Sequence, residues 1–390
     1  MGPFVPLLLQ SGILSIILPL VVSATNVLPL PSGPFAALYN TFEILDGSRV
    51  DPLDPNNGTR KLMLSSFYPV ESSKCEQICT APYVSQNIAP YVDQFGASIG
   101  IPSGKLDKVA LQVCCKTTGD ENKNASNIPL VFLLHGFGGT RLIHSALAEE
   151  LASAGFAVVT MDHTFESLAV EFPDGSVVTG LNDPSWDPTI PGRLEPLQDI
   201  RVDDVRYVLS QLKSMEVAAK VLPGALTGFN TERVAVFGHS FGGSTSIKLL
   251  MTDSRFVGAL NLDGQQFGTI TDMQQPAVLF GTTGVTPNPH NSTIDVTWAE
   301  TLRHLKGWRA EIGLNNITHF GFTDVSYLNG TGALTLSKEV VDSLVGKLNG
   351  RRSFEIVSTY VTAFLDSVLR GGNTTLFDGT SQKFPEVVVL

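Results

Sequence analysis

The chain has 390 residues, of which 43% are hydrophobic and 16% are charged, and its formal net charge is −11 at pH 7. This is the composition of a globular protein with a sizeable core, long enough for one large α/β domain or two ordinary ones. The acidic charge, with no Lys/Arg cluster longer than Arg351-Arg352, argues against a nucleic-acid partner and against electrostatic binding to anionic membranes.

The first residues predict a secretory signal peptide over residues 1–24. An apolar stretch ends in the small residues Ser23 and Ala24, which is typical of a cleavage site. No Lys or Arg precedes the stretch, so a membrane anchor is the alternative, but Pro6 and Pro19 within it favour cleavage. No later apolar run is long enough to cross a bilayer, so we expect a secreted, extracellular protein.

The cysteines predict two disulfide bonds. An even number in a secreted chain suggests a disulfide framework, and here the four are Cys75, Cys79, Cys114 and Cys115. Pairing between the adjacent Cys114 and Cys115 would be strained, so we expect each of them to join one of Cys75 and Cys79. The alternative is a metal cluster, but the spacing fits no common zinc pattern. We therefore expect neither a metal nor a cofactor.

Short apolar runs alternate with amphipathic segments along most of the chain. This alternation is typical of βαβ units, in which helices cover both faces of a mostly parallel sheet. The predicted strands cover residues 62–70, 128–136, 156–163, 233–240, 257–264, 276–284 and 308–314. The predicted helices cover residues 142–155, 202–215, 244–253, 335–348 and 354–370.

These elements predict one α/β domain over residues 61–372. Residues 25–60 are rich in Pro, Gly, Ser and Asn and predict an irregular N-terminal arm, and residues 373–390 form a C-terminal tail. Two insertions are expected, at about 71–104 and 171–200. The second is rich in proline and lies between a strand and a helix, so it is a candidate lid over a binding pocket.

The segment Gly238-His239-Ser240-Phe241-Gly242 predicts a nucleophile. It is a G-x-S-x-G motif between a predicted strand and a predicted helix, the context of the nucleophile elbow in the α/β-hydrolase fold. The flanking glycines let the turn close, and the helix N-terminus favours developing negative charge. A glycine-rich helix cap is the alternative interpretation.

A serine nucleophile needs a base, and the base needs an orienting carboxylate. In this architecture the acid and then the histidine follow the serine along the chain. Asp263 ends the next predicted strand, and His319 follows the last one, so these two are the predicted acid and base. Weaker alternatives for the acid are Asp272 and Asp295, and weaker alternatives for the base are His290 and His304.

Two backbone amides are expected to bind the oxyanion of the tetrahedral intermediate. One belongs to Phe241, directly after the serine. The other is predicted at Phe137, in the glycine-rich loop of LLHGFGGT (residues 133–140), which follows a buried strand. The alternative is a plain glycine turn.

The chain resembles the platelet-activating-factor acetylhydrolase family (plasma and type II) of the α/β-hydrolase superfamily. The resemblance rests on HGFGG at 135–139, GHSFGG at 238–243, Leu262-Asp263 and His319, and it covers about residues 60–370. It implies calcium-independent hydrolysis of short or oxidised acyl groups from phospholipids, without a cofactor and with transient contact to lipid aggregates. The stretch 161–178 looks like fungal secreted members of the family.

Other functions remain open on the sequence alone. Cutinases and polyester hydrolases share much of the same core, and some hydrolase-fold proteins have lost catalysis and serve as binding proteins. Such proteins usually lack the serine, the acid or the histidine, and all three candidates are intact here. A metal-dependent hydrolase is disfavoured because no H-x-x-x-H or clustered His/Asp pattern occurs.

Six Asn-x-Ser/Thr sequons support a secreted glycoprotein. The sequon at Asn316 lies just before His319, and we expect its side chain to point inward, unglycosylated, where its amide would support the loop of the base. The candidate glycosylation sites are Asn57, Asn124, Asn291, Asn329 and Asn373.

Overall fold

The computed structural model describes residues 26–118, 124–181, 183, 185–187, 189–284 and 286–390. The predicted signal peptide, residues 1–24, lies outside them. The described strands are β1 (Asn26–Val27), β2 (Phe35–Val50), β3 (Thr59–Glu71), β4 (Cys75–Pro82), β5 (Val109–Thr117), β6 (Leu130–Leu134), β7 (Ala157–Asp162), β8 (Ala169–Glu171), β9 (Val177–Thr179), β10 (Val234–His239), β11 (Phe256–Leu262), β12 (Ala277–Thr283), β13 (Arg309–Asn315) and β14 (Val387–Val389). The described α-helices are α1 (Ala89–Ser98), α2 (Ser145–Ser153), α3 (Glu195–Gln211), α4 (Met215–Val221), α5 (Phe241–Thr252), α6 (Val296–His304), α7 (Asp324–Thr331), α8 (Lys338–Leu344) and α9 (Gly350–Arg370).

Twelve of these strands form one mixed sheet in the order β1-β5-β2-β3-β7-β6-β10-β11-β12-β13-β14, with β4 paired to β5. All neighbours from β7 to β13 are parallel, whereas β3 joins β7, and β14 joins β13, in the antiparallel sense. The predicted α/β-hydrolase fold, a mostly parallel sheet flanked by helices, is therefore confirmed. Each predicted strand is present, although 62–70 (β3) is antiparallel.

The central strands are apolar throughout because both of their faces are covered. All five residues of β6 are buried, and successive side chains of a strand point to opposite faces. Phe132 and Val236 pack in the core on one face of the sheet, whereas Val131 and Phe237 pack in the core on the other.

The predicted irregular arm is wrong for residues 35–50, which form β2. This strand of 16 residues pairs with β3 from Phe35↔Glu71 to Asp46↔Arg60. The prolines that suggested an arm all lie outside the strand, before residue 35 or after residue 50. Only four of its 16 residues are buried, so the strand depends on its backbone pairing more than on burial of its own side chains.

The insertion at 71–104 contains β4 and α1, and disulfides tie it to the sheet. Cys75 is bonded to Cys114 and Cys79 to Cys115, which joins β4 to its antiparallel neighbour β5. The predicted pairing, one partner each from the two cysteine pairs, is confirmed. The residue separations are 39 and 36.

We expect the protein to show no free thiol before reduction. Closing a loop of this size stabilises a fold by about 3–4 kcal/mol, and the second bridge should add less because it joins the same two strands. Intact mass after alkylation without reduction should show no added groups, and reduction should make all four cysteines reactive. Four alkylatable cysteines in the untreated protein, or a Cys75–Cys79 cross-link, would contradict the arrangement.

The second insertion, 171–200, borders the carboxyl edge of the parallel strands. It begins within the hairpin of β8 and β9, and its last residues, 195–200, form the start of α3, which begins earlier than the predicted helix. Its residues Trp186 and Leu194 pack in one cluster with Phe241. Within the described ranges, no helix has both the length and the apolarity to cross a membrane.

Candidate active site

Ser240 occupies a strained turn between β10 and α5. Its φ of 57° and ψ of −124° lie in a region that side chains rarely adopt. A Cβ added to Gly238 would lie 2.5 Å from the Gly242 carbonyl carbon and 2.6 Å from the Leu134 oxygen, and one added to Gly242 would also collide with that oxygen. Both glycines of the motif are therefore required for the turn to pass beside β6.

Asp263 lies at the end of β11, the strand next to β10. Its backbone is also left-handed, with φ of 57°, and the side chain of Asn261 holds the turn by bonding both backbone groups of Gly264, at 2.8 and 2.7 Å. The amide of Thr282 donates to Asp263 Oδ1 at 3.2 Å. Burial opposes ionisation of Asp263, but hydrogen bonds from His290 and His319 outweigh it and hold its pKa below the usual carboxyl value.

His319 follows β13 and makes a direct contact with Asp263. The distance from His319 Nδ1 to Asp263 Oδ2 is 2.6 Å, and 43% of the His319 side chain is exposed. Because a carboxylate can only accept, Nδ1 carries the proton in a neutral imidazole and Nε2 is left as an acceptor. His319 therefore has the tautomer that a general base needs.

The motif residue His239 holds the backbone of His319. Its Nε2 lies 2.9 Å from the His319 carbonyl oxygen, so this nitrogen is the donor. Burial, helped by the proximity of His319, holds the pKa of His239 well below the ordinary value. His239 is therefore a neutral, fixed donor that connects the elbow to the loop carrying His319.

The glycine-rich loop after β6 passes directly beside Ser240. A Cβ on Gly136 would lie 3.2 Å from Ser240 Cβ and 3.6 Å from its Oγ. The next residue is Phe137, and neither its amide nor that of Phe241 has an intramolecular acceptor among the described residues. Phe241 directly follows Ser240 in the chain, and Phe137 lies on the loop that passes beside it. Both predicted oxyanion donors are therefore close to the serine.

A buried ion pair, Glu166 with Arg201, fixes this loop. The two side chains form a bidentate pair with both distances at 2.8 Å. Glu166 accepts from the amide of Gly138 at 2.9 Å, and Arg201 donates to the carbonyls of His135 and Gly136 at 2.6 and 3.1 Å. The ion pair thus fixes the backbone on both sides of Phe137, through the two carbonyls before it and the amide after it.

Ser240, Asp263 and His319 line one open cavity of about 710 Å³. Its wall combines polar residues with aromatic and aliphatic side chains, and the apolar part suits an acyl chain or an aromatic ring. The apolar lining side chains are Phe137, Leu194, Phe241, Phe267, Pro289, Phe320 and Leu344.

The weaker candidates lie in two separate places. Asp272 and His304 pair with each other at the surface, at 2.6 Å. His290 and Asp295 instead line the cavity, and His290 contacts Asp263 through the oxygen that His319 does not use. No cluster of three or more His, Cys, Asp or Glu side chains suited to a metal occurs in the described part of the chain.

Glu166 and Arg201 lie outside every catalytic motif recognised in the sequence. Arg201 lies on the buried face of α3, four residues from both Leu197 and Val205, so the helical period alone places a charge among apolar residues. That signal marks a paired or functional arginine, because charged groups are rarely buried alone. Glu166 has no comparable signal in the sequence.

The predicted inward orientation of Asn316 is wrong. Its backbone is left-handed, with φ of 63°, and its side chain is exposed, with no hydrogen-bond partner among the described residues. The backbone carbonyl supports the loop instead, accepting from the amides of Lys347 and Leu348 at 2.8 and 2.9 Å. Asparagine tolerates this conformation, which turns the side chain outward.

The candidate glycosylation sites differ in exposure. Asn57 and Asn373 are exposed, and Asn124 and Asn329 are half-buried. Asn291 is buried, and its side chain accepts from the amide of Thr293 at 2.9 Å. Glycan occupancy stays a prediction at each of these sites.

One protein-family model matches most of the chain. The family model described as platelet-activating factor acetylhydrolase, isoform II, matches residues 57–186 and 197–374. The chain belongs to this family. The relationship predicted from the glycine-rich loop and the elbow is confirmed.

Individual relatives agree. A probable 1-alkyl-2-acetylglycerophosphocholine esterase of Arthroderma benhamiae is 31% identical over 389 residues, with 95% of each chain covered. The platelet-activating factor acetylhydrolase of Cavia porcellus is 28% identical over 63% of this chain and 59% of its own. A ferulic acid esterase from Streptomyces cinnamoneus superimposes with a TM-score of 0.75 at 28% identity, covering 94% of this chain and 99% of that one. The protein is therefore a carboxylic ester hydrolase.

Proposed function

We propose that this member of the acetylhydrolase family removes short acyl groups from lipid esters, with Ser240 as nucleophile, His319 as general base and Asp263 as the orienting acid. The observation that carries the assignment is the 2.6 Å contact between Asp263 and His319 on the same cavity as the strained Ser240. Strain of this kind persists where the surrounding structure holds it, and it is concentrated at functional sites.

The reaction follows from these positions. His319 Nε2 takes the proton of Ser240 Oγ as this oxygen bonds to the ester carbonyl carbon, and the carbonyl oxygen becomes an oxyanion. The amides of Phe137 and Phe241 donate to that oxyanion, and Asp263 stabilises the imidazolium. The C–O bond to the alcohol then breaks, with the His319 proton transferred to the leaving oxygen. Water then attacks the acyl carbon of the acyl-enzyme while His319 takes its proton, and the acid leaves as the proton returns to Ser240 Oγ.

The apolar wall supports an ester with a short acyl chain. Phe137, Phe241 and Phe267 pack edge to face in a row, with centroid separations of 6.1 and 5.5 Å, beside Ser240. A short chain can lie against these rings while the charged head of a lipid stays in the open mouth of the cavity. One relative is named a probable 1-alkyl-2-acetylglycerophosphocholine esterase, and another a platelet-activating factor acetylhydrolase.

A second candidate substrate is an ester of an aromatic acid. The structural neighbour that spans 94% of this chain is a ferulic acid esterase, and a wall of phenylalanine rings also offers edge-to-face packing to an aromatic acyl group. Both candidates use the same serine, base and oxyanion donors.

A panel of esters should separate the two. We expect kcat/KM on p-nitrophenyl esters to be highest at two to four carbons and to fall by about 10-fold or more at sixteen, because each misplaced group costs transition-state binding. An acetylated glycerophosphocholine should be cleaved faster than methyl ferulate. Faster cleavage of the ferulate would favour the aromatic substrate, and a maximum at sixteen carbons would contradict both.

We further propose that the protein is secreted, glycosylated and in transient contact with lipid aggregates. The two disulfides, Cys75–Cys114 and Cys79–Cys115, support an oxidising compartment. The exposed sequons at Asn57 and Asn373 are accessible to glycosylation. Recovery of the protein from culture medium, starting at residue 25, would test the location.

A further inference from the structure

A second histidine contacts the acid of the proposed triad. His290 Nδ1 lies 3.2 Å from Asp263 Oδ1, and its Nε2 lies 2.8 Å from Asp295 Oδ2. The His290 side chain is 17% exposed, so these carboxylates replace most of its water. Asp263 thus has a histidine on each oxygen, His319 on Oδ2 and His290 on Oδ1.

The geometry determines the protonation of His290. Both neighbours are carboxylate oxygens, which only accept, and neutral imidazole has a single N–H. Only the imidazolium form donates to both at once. Burial opposes this charge, but the bonds to Asp263 and Asp295 outweigh it and raise the pKa of His290 to about 9. The Trp298 ring, with its centroid 4.2 Å from that of His290, adds a surface on which a cation is favourable.

We propose that His290, as an imidazolium held between Asp263 and Asp295, is a positioning residue that keeps Asp263 ionised and directed at His319. This inference rests on the proposed triad. Asp263 Oδ1 is occupied by His290 and by the amide of Thr282, so only Oδ2 remains for His319. The carboxylate therefore cannot rotate without losing two hydrogen bonds.

The charges around His290 determine the sign of its effect. The carboxylates of Asp263 and Asp295 with one imidazolium sum to −1. On the neighbouring strands, Thr282 of β12 is uncharged, and Glu311 of β13 is occupied by the backbone and hydroxyl of Ser292, both at 2.6 Å. Removing the His290 charge leaves −2 beside the general base, which then holds its proton to higher pH. Removing the Asp295 charge has the opposite effect.

Two variants test this sign. In His290→Gln, the acid limb of the kcat/KM profile should move to higher pH by about 0.5 to 1 unit, and kcat should fall about 10-fold with little change in KM. In Asp295→Asn, the limb should move to lower pH. Asparagine can still cap α6, as Asp295 does by accepting from the amide of Thr297 at 2.7 Å, so the fold should be retained.

The chain offers a matched control at the surface. His304 also lies between two carboxylates, at 2.6 Å from Asp272 and 2.9 Å from Glu300, but it does not line the cavity. His304→Gln should leave the pH profile unchanged. The positioning role would be overturned if the acid limb of the kcat/KM profile moved in the same direction in His290→Gln and Asp295→Asn. It would also be overturned if the limb moved no further in these variants than in His304→Gln.

A direct measurement separates this inference from the triad itself. Proton–nitrogen NMR of histidine-labelled protein, assigned through His290→Gln, should show both ring nitrogens of His290 protonated at pH 7 and titrating well above the ordinary value. A neutral His290 at pH 7 would refute the inference while leaving the triad intact. If Asp263→Asn keeps full activity while His290 still titrates high, the triad is wrong and the positioning role falls with it.

Discussion

Ser240→Ala is expected to lower kcat on a p-nitrophenyl ester by about 10⁴-fold or more, because the nucleophile and its base act as a unit. The serine oxygen contributes little to the core, and the strained turn is held by Gly238, Gly242 and the bond from the Ser240 amide to the Leu262 carbonyl, at 2.8 Å. The melting temperature should therefore stay close to that of the wild type. Initial rates, together with labelling by a fluorophosphonate probe, measure the loss.

A second serine on the same cavity provides the control. Ser343 also lines it, but its hydroxyl donates to the Val340 carbonyl at 3.2 Å, away from any base. Ser343→Ala should keep near-normal activity and fluorophosphonate labelling. If Ser240→Ala retained a tenth of wild-type activity or still took up the probe, another nucleophile would have to be sought.

Asp263→Asn is expected to lower kcat by on the order of 10³ to 10⁴-fold. Asparagine can donate as well as accept, so it no longer imposes the Nδ1–H tautomer on His319, and it leaves the imidazolium of the transition state without a counter-charge. Asp263 is hydrogen-bonded to both His290 and His319, so the substitution removes a charged partner from each of these histidines. The loss should appear in kcat rather than KM.

Asp272→Asn is the matched control, since Asp272 is also bonded to a histidine, His304, but at the surface. It should leave kcat within about twofold of wild type, as substitutions away from a functional site usually do. The loss of kcat in Asp295→Asn should lie between the losses in Asp272→Asn and Asp263→Asn. If either of these variants lost more activity than Asp263→Asn, the acid would be misassigned.

Local patterns were enough to place the three candidate residues. The elbow needs only a buried strand, a G-x-S-x-G and a helix in succession, and α5 begins at Phe241 directly after Ser240. Parallel strands end at one edge of the sheet, so residues after β11 and β13 were expected beside those after β10. Asp263 and His319 accordingly meet there at 2.6 Å.

Tertiary structure decided whatever depends on partners distant in sequence. The strand β2 has few buried residues and is stabilised by pairing with β3 and β5, so its composition did not predict it. Arg201 reaches a carbonyl 66 residues earlier in the chain. Asn316 turns outward because of a left-handed backbone that its residue type permits but does not require.

His290 shows the same limit within the site. By sequence it is one histidine in a Pro/Asn-rich loop, and nothing local predicts a carboxylate on each nitrogen. The central strands and the glycine-containing turn at Ser240 were encoded in short stretches of the chain, by apolar runs and by the G-x-S-x-G motif. The hydrogen bond from His290 to Asp263 was not encoded locally. It depends on how the loop before α6 packs against the end of β11, and the free energy of the whole folded core determines that packing.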